Sequence, residues 1–153
     1  PGTRVMRLRD GQRKMSKSDV SDMTRINLTD TADVIADKIK RAKTDPEALP
    51  DSAAGLAERP EAANLINIYA ALVDRSVDDV VSEFSGQGFG AFKPKLADLA
   101  VSILGPIADR MTELLSDPAE LDRLLARGAD KANDLANPVL AEAYDAIGFS
   151  KRG

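Results

Sequence analysis

Read for the spacing of apolar and polar positions, the chain divides into a short alternating start and a series of helical stripes. Thr3-Arg4-Val5-Met6-Arg7-Leu8 alternates as a half-buried strand does. The segments that follow are helical, and a single strand cannot satisfy its own backbone groups, so this pattern predicts that the rest of its sheet lies upstream of Pro1. Asn27-Leu28-Thr29-Asp30-Thr31 supplies helix-start chemistry, and Val34, Ile35, Ile39 and Ala42 then share one face through Lys43. Thr44-Asp45-Pro46 ends that helix. Residues 44–59, rich in Pro, Asp, Ala and Gly without periodicity, read as a connector and a domain boundary.

Pro60 suits a first helical turn, and Leu65, Ile66, Tyr69, Leu72 and Val73 form an apolar stripe behind it. Ser76 and Asp79 have capping-box spacing for a short helix that turns Val80, Val81 and Phe84 inward. From about Phe92 to Leu115, the positions Leu96, Leu99, Ala100, Ile103, Leu104, Ile107, Met111 and Leu114 keep helical spacing, with a kink expected at Gly105-Pro106. This helix is expected to be the spine of the core. Asp117 and Glu120 cap the last helix over Pro118, after which Leu121, Leu124, Leu125, Ala132, Leu135, Leu140, Ala143 and Ile147 are expected to pack inward. Gly128 and Pro138 are expected to bend it, Gly148 to stop it, and residues 150–153 to fray.

Composition supports a helical reading. The 153 residues have 43% hydrophobic content but only 4% aromatics and no Trp, which favours aliphatic helix packing over a sandwich or barrel. With no Cys and no His, disulfides, thiolate metal sites, cysteine nucleophiles and the Ser-His-Asp arrangement are excluded within this chain. No apolar run reaches the ~20 residues of a membrane span and no signal pattern opens the sequence, so a soluble, cytoplasmic chain without a membrane partner is expected. The net charge of −4 argues against nonspecific coating of nucleic acid. The charge is uneven, however: Arg4, Arg7, Arg9, Arg13, Lys14 and Lys17 stand against one acid, Asp10, in the first 18 residues, and an anion belongs at that end.

The chemistry is concentrated in Lys14-Met15-Ser16-Lys17-Ser18, followed by Asp19. Two ammonium groups three residues apart, with one hydroxyl between them and another just after, offer several donors and two positive charges to a polyphosphate. No nucleophile with its own base is present. Such a segment works electrostatically, compensating charge as it builds on a departing phosphate. Gly86-Gln87-Gly88-Phe89-Gly90 lacks the preceding strand and the full glycine spacing of a dinucleotide fingerprint, and reads as a turn between helices.

The lysine loop resembles the second signature of the class I aminoacyl-tRNA synthetases, and its surroundings resemble the bacterial tryptophanyl-tRNA synthetases in particular. Arg4-Val5-Met6 through Asp10-Gly11-Gln12-Arg13 is similar to that family's lead-in strand, and Asn64-Leu65-Ile66-Asn67-Ile68-Tyr69 to its helical segment. Gly86 to Ala97, with Phe92-Lys93 and Leu96-Ala97, resembles its late glycine turn. Asp122 through Asn133 and Gly148-Phe149 continue the likeness to the end of the chain. A tyrosyl enzyme would place Gly-Asn after the loop, where this chain has Asp19-Val20.

The resemblance implies activation of L-tryptophan by ATP, with Mg²⁺ accompanying the nucleotide and no protein metal site, then transfer to tRNA(Trp). It implies that Lys17 stabilises the departing pyrophosphate and Lys14 assists, that Ser16 and Ser18 supply hydroxyl and backbone donors, and that Met15 packs to shape the loop. Val5, where the family usually has Ile, would touch adenine through its backbone, and Val20, where the family often has Pro, would loosen the loop's exit. A family enzyme also needs an upstream nucleotide-binding sheet, a histidine-containing signature and the tryptophan pocket. The chain is therefore expected to be mainly α, a C-terminal half: one strand and the lysine loop of an otherwise missing Rossmann-type catalytic domain (1–30), a linking helix and connector (31–59), a helical anticodon-binding domain (60–149) and a tail (150–153). Alone it should be inactive, and the whole protein a homodimer. The alternatives are a stand-alone helical tRNA-binding module and a tyrosyl-type relative.

Arg123, Arg127 and Lys131 recur every four residues on one helical face and could meet anticodon phosphates. Glu120, Asp130 and Asp134 lie near enough to form ordinary surface pairs, and a solvated face is the favoured reading. Lys93 and Lys95 take the same discount. Of Asp78-Asp79, one caps its helix, and Asn64 and Asn67 are expected to face polar neighbours within the helical domain.

Overall fold

The computed structural model describes residues 4–149, with helices throughout after a two-stranded start. β1 (Met6–Arg7) pairs antiparallel with β2 (Asp10–Lys14), Met6 facing Lys14 and Arg7 facing Asp10 across a bulge. This corrects the expectation of a single strand without a partner in the chain. The partner escaped notice because β2 has no alternation to read: its one buried position is Gly11, which carries no apolar signal. Thr3 and residues 150–153, on which the strand start and the frayed tail were expected, lie outside the described residues.

The hairpin turn is pinned from two sides. Leu8 is 2% exposed, its N–H donates to the Thr24 carbonyl at 2.9 Å, and its carbonyl accepts from the Lys43 N–H at 2.7 Å. A 3-10 turn at Asp22–Thr24 leads to α1 (Ala32–Lys40), whose first turn is capped by the Thr31 hydroxyl accepting from the Val34 N–H. Ile35, Ile39 and Ala42 are buried as expected, whereas Val34 is 39% exposed. The helix also stops at Lys40, short of the Lys43 the pattern suggested.

Residues 44–59 pack rather than dangle. Leu49 and Leu56 are buried with the helices, and Leu49 exchanges backbone hydrogen bonds with the Gly86–Gln87 turn. Arg59 donates through Nε to Asp45 at 3.0 Å and through Nη1 to the Ala48 carbonyl at 2.8 Å. The hydrogen bonds from Arg59 hold the Asp45 carboxyl below its usual range.

α2 (Pro60–Val73), α3 (Val77–Phe84) and the first half of α4 (Phe89–Ser116) enclose the core. Ser76 Oγ accepts from the Asp79 N–H at 3.1 Å and donates to its carboxylate at 2.6 Å, so the predicted pair caps the helix, with the carboxylate on the Ser76 hydroxyl in place of the capping box's backbone N–H. Four of the chain's aromatic side chains meet here: Phe84 and Phe92 edge to face at 4.9 Å, Tyr69 against both, and Phe89 beside Phe92. α4 begins at Phe89, so only Gly86 to Gly88 form the turn, and Gly86 takes a positive φ of 72°. Pro94 and Pro106 lie inside α4 without ending it.

The chain forms two compact units, Pro1–Met111 and Thr112–Gly153. The second contains α5 (Pro118–Ile147), capped by Asp117 at its start and by Gly148 at φ 73° at its end, both as expected. Its predicted inward stripe is not buried: Leu125 is 62% exposed, Leu135 78%, Leu140 46% and Ile147 62%. An apolar stripe becomes core only against a facing element, and in this unit the described residues besides α5 are the last turn of α4 and a short end. Among the described residues, no helix is long and apolar enough to cross a membrane.

Candidate functional site

The lysine loop leaves β2 at Lys14 and is tied down immediately. The Met15 N–H donates to the Val5 carbonyl at 3.0 Å, and the Met15 side chain packs, partly buried, against the core. Val5 and the loop are thereby brought together. Ser16 then closes a small turn: its hydroxyl accepts from the Ser18 N–H at 3.2 Å and its carbonyl from the Asp19 N–H at 3.3 Å. That turn leaves Lys17 and Ser18 exposed, with Lys14 exposed at the end of the strand. Two ammonium groups and a hydroxyl are presented to solvent from a frame held on both sides.

The loop's exit is fixed through Asp19. Its carboxylate lies 2.7 Å from the Arg7 guanidinium and accepts from the Ser21 N–H at 3.2 Å, while its carbonyl accepts from Arg25 Nη1 at 3.0 Å. The Ser21 backbone hydrogen bond, with the nearby Arg7 charge, lowers the Asp19 pKa. Arg7 also donates from Nε to the Lys14 carbonyl at 3.4 Å, so one guanidinium bridges the two ends of the motif. Val20 is fully exposed beyond this anchor. Asp19 is committed to Arg7, and among the described residues no group of three or more His, Cys, Asp or Glu could hold a metal ion.

The entrance strand is held by α2. Asn64 is 5% exposed; its Oδ1 accepts from the Met6 N–H at 2.9 Å, and its Nδ2 donates to the Met6 and Arg7 carbonyls at 3.0 and 3.3 Å. Asn64 therefore meets the strand leading into the loop and not, as expected, a polar neighbour within residues 60–149, whereas Asn67 does donate within that range, to the Ala63 carbonyl of its own helix. Asn64→Ala leaves three backbone groups of β1 without their partner and should lower stability by about 1–3 kcal/mol, read as a lower denaturant midpoint. An unchanged midpoint would mean that water replaces the amide there.

Other basic residues resolve differently. Lys93 Nζ donates to the Ala42 and Lys40 carbonyls, at 2.7 and 3.3 Å, at the end of α1; burial, with the Arg9 charge, lowers its pKa. Lys95 lies over the Phe84 ring, 5.0 Å from its centroid. Both have structural work. On α5, Arg123 pairs with Glu120 at 2.9 Å, while Arg127 and Lys131 are exposed. Arg123, Arg127, Glu120 and Asp130 line a shallow surface depression, so the basic face carries acids as well.

Sequence reading missed Arg7, Arg25 and Lys38. A signal was present for Lys38: it falls on the same helical face as Ile35, Ile39 and Ala42, where a charge must find carboxylates.

Residues 2–105 match the family model described as tRNA synthetases class I (W and Y). A protein of Caulobacter vibrioides named tryptophan–tRNA ligase is 57% identical over 97% of this chain and 43% of its own length, and one of Rhizobium meliloti with the same name is 56% identical over 97% and 42%. The chain thus spans less than half the length of these relatives. The crystal structure of a tryptophanyl-tRNA synthetase from Mycoplasma pneumoniae superposes with a TM-score of 0.75 at 25% identity, covering 97% of this chain and 46% of the other. The Campylobacter jejuni tryptophanyl-tRNA synthetase complexed with ADP and tryptophan gives 0.63 at 26% identity, covering 95% and 44%. With the family model matched over two thirds of its residues and the motif presented as described, the chain belongs to the class I tRNA synthetases of the tryptophan and tyrosine type.

Proposed function

We propose that this chain is the C-terminal part of a tryptophan–tRNA ligase, contributing the lysine-loop half of its active site and the helical domain that meets tRNA(Trp). The observation that carries the reading is the pair Lys14 and Lys17, held out to solvent from a loop tied at Val5 and Asp19, in a chain 57% identical to a protein of that name. In this reading residues 1–30 end the catalytic domain, 31–59 link, and 60–149 form the anticodon-binding domain. The Rossmann-type sheet and the tryptophan pocket come from the preceding part of a cytoplasmic homodimer.

The tryptophan carboxylate attacks the α-phosphorus of ATP, the bond from that phosphorus to the bridging oxygen breaks, and pyrophosphate leaves with the electron pair. Lys17 meets the charge as it develops on the leaving group, and Lys14 supports it from the strand end. Ser16 and Ser18 offer hydroxyl and backbone donors, although the Ser16 hydroxyl already accepts from the Ser18 N–H. Val5 reaches adenine through its backbone; one lone pair of its carbonyl is taken by Met15. Mg²⁺ accompanying the nucleotide would supply further charge neutralisation beside that of Lys14 and Lys17.

The test is ATP–pyrophosphate exchange by the complete protein with tryptophan or tyrosine as the amino acid. Dependence on tryptophan supports the reading; dependence on tyrosine, or on neither, overturns it. The tRNA contact has its own test. Arg127→Glu should weaken tRNA(Trp) binding about tenfold and flatten its salt dependence while leaving tryptophan activation intact. Unchanged tRNA affinity would make the basic face of α5 a solvated surface only.

A further inference from the structure

Lys38, in the middle of α1, is 1% exposed, and its ammonium sits 2.6 Å from Asp22 and 2.5 Å from Asp30. The two carboxylates are also cross-linked by Asn27, whose Nδ2 donates to Asp22 at 2.9 Å and to Asp30 at 3.2 Å, and whose N–H donates to Asp30 at 2.8 Å. Asp22 and Asn27 in turn fix Arg25: Nη2 lies 2.9 Å from Asp22, and Nε donates to Asn27 Oδ1 at 2.9 Å. The remaining nitrogen, Nη1, donates to the Asp19 carbonyl at 3.0 Å, directly after the lysine motif. An unbroken path of charge-assisted hydrogen bonds therefore runs from the buried face of α1 to the loop's exit.

We infer that Lys38 is a positioning residue for the lysine loop: acting through Asp22 and Arg25, it fixes Asp19 and so sets where Lys17 stands when polyphosphate is bound. The inference rests on the ligase reading for its chemical consequence but not for its structural one. Filling space does not account for a lysine at this place, because an apolar side chain of similar volume would fill the face without desolvating a charge, and such exchanges are often neutral or stabilising. What lysine adds is direction. Its ammonium holds Oδ2 of Asp22, a carboxylate 53% exposed, while Oδ1 meets Asn27 and Arg25, so that both oxygens are engaged in the arrangement that leaves Arg25 aimed at Asp19. Burial by itself would lower the Lys38 pKa, but the hydrogen bonds to Asp22 and Asp30 outweigh it and leave it raised, so the ammonium form persists at neutral pH.

The test uses Arg25→Gln, which leaves the buried Lys38–Asp30 pair intact, together with Lys38→Met and Lys38→Arg, in the complete ligase. Arg25→Gln and Lys38→Met should each lower the rate constant of tryptophan-dependent exchange by about tenfold to a hundredfold, with the KM for tryptophan unchanged. Lys38→Arg should recover most of the rate, since a guanidinium can reach both carboxylates. Independently of activity, trypsin cleavage after Lys17 should quicken about tenfold in Arg25→Gln relative to cleavage after Arg75 in the same unit. Unchanged exchange and unchanged cleavage after Lys17 would overturn the inference. So would equal acceleration at both sites with a lower melting temperature, which is general destabilisation. If the unaltered protein shows no exchange at all, the ligase reading fails, and the cleavage ratio alone decides the positioning role.

Discussion

Lys17→Ala should slow tryptophan-dependent ATP–pyrophosphate exchange in the complete protein by about a hundredfold to a thousandfold while barely changing the affinity for tryptophan. The size follows from what the side chain does. Lys17 is exposed on a turn closed by Ser16, so its ammonium supports no fold contact whose loss would spread. In the proposed reading its work is confined to the charge that develops on the leaving pyrophosphate, and removing one preorganised partner of such a charge costs about that factor. An interaction made mainly in the transition state lowers the rate constant and the specificity constant together, rather than raising KM. Retention of the exchange rate, or a loss wholly in tryptophan affinity, would assign the step to another group.

The second large effect is expected at Gly11, far from any reacting atom. A Cβ there would lie 2.5 Å from the Pro60 carbonyl carbon and 2.6 Å from the Glu61 nitrogen, both backbone atoms at the first turn of α2. Neither can rotate away, so Gly11→Ala must move β2 off the helix. Overpacking of this kind costs about 1–3 kcal/mol or more. Because β2 runs directly into Lys14, the displacement also reaches the loop, where a shift of about 1 Å is worth about a hundredfold in rate. The variant should show both a lower melting temperature and a lower exchange rate constant. A fully stable, fully active Gly11→Ala protein would show that the strand and helix are not rigidly coupled.

What could be read from the sequence divides along physical lines. Caps and local stripes were legible because they depend on neighbours within four residues: Thr31, Ser76 with Asp79, Pro60, Asp117 and Gly148 all act where they were expected. Ile35, Ile39 and Ala42, though not Val34, and the Val80, Val81, Phe84 face were legible for the same reason. The chemistry of Lys14 to Ser18 was legible as composition, two cations and two hydroxyls within five residues.

The unread part is the long-range support of that chemistry. Asn64 reaches 58 residues back to Met6, and Gly11 makes room for Pro60; neither leaves a periodic trace. Lys38 interrupts an apolar face, a cue visible in the sequence, but its partners Asp22 and Asp30 could be chosen only once the turn before α1 was in place. β2 was missed because its sole buried position has no side chain. The stripe of α5 was read correctly as a stripe and wrongly as core, since amphipathicity shows which face is apolar and not what covers it.

The central claim is that Lys14 to Ser18 is half of an active site, sufficient to stabilise a leaving pyrophosphate and insufficient to bind what releases it. Tryptophan-dependent ATP–pyrophosphate exchange, measured side by side for this 153-residue chain and for the complete protein containing it, tests that most directly. The account predicts exchange in the complete protein and none in the chain alone. Exchange by the chain alone, or its absence from the complete protein, would contradict it.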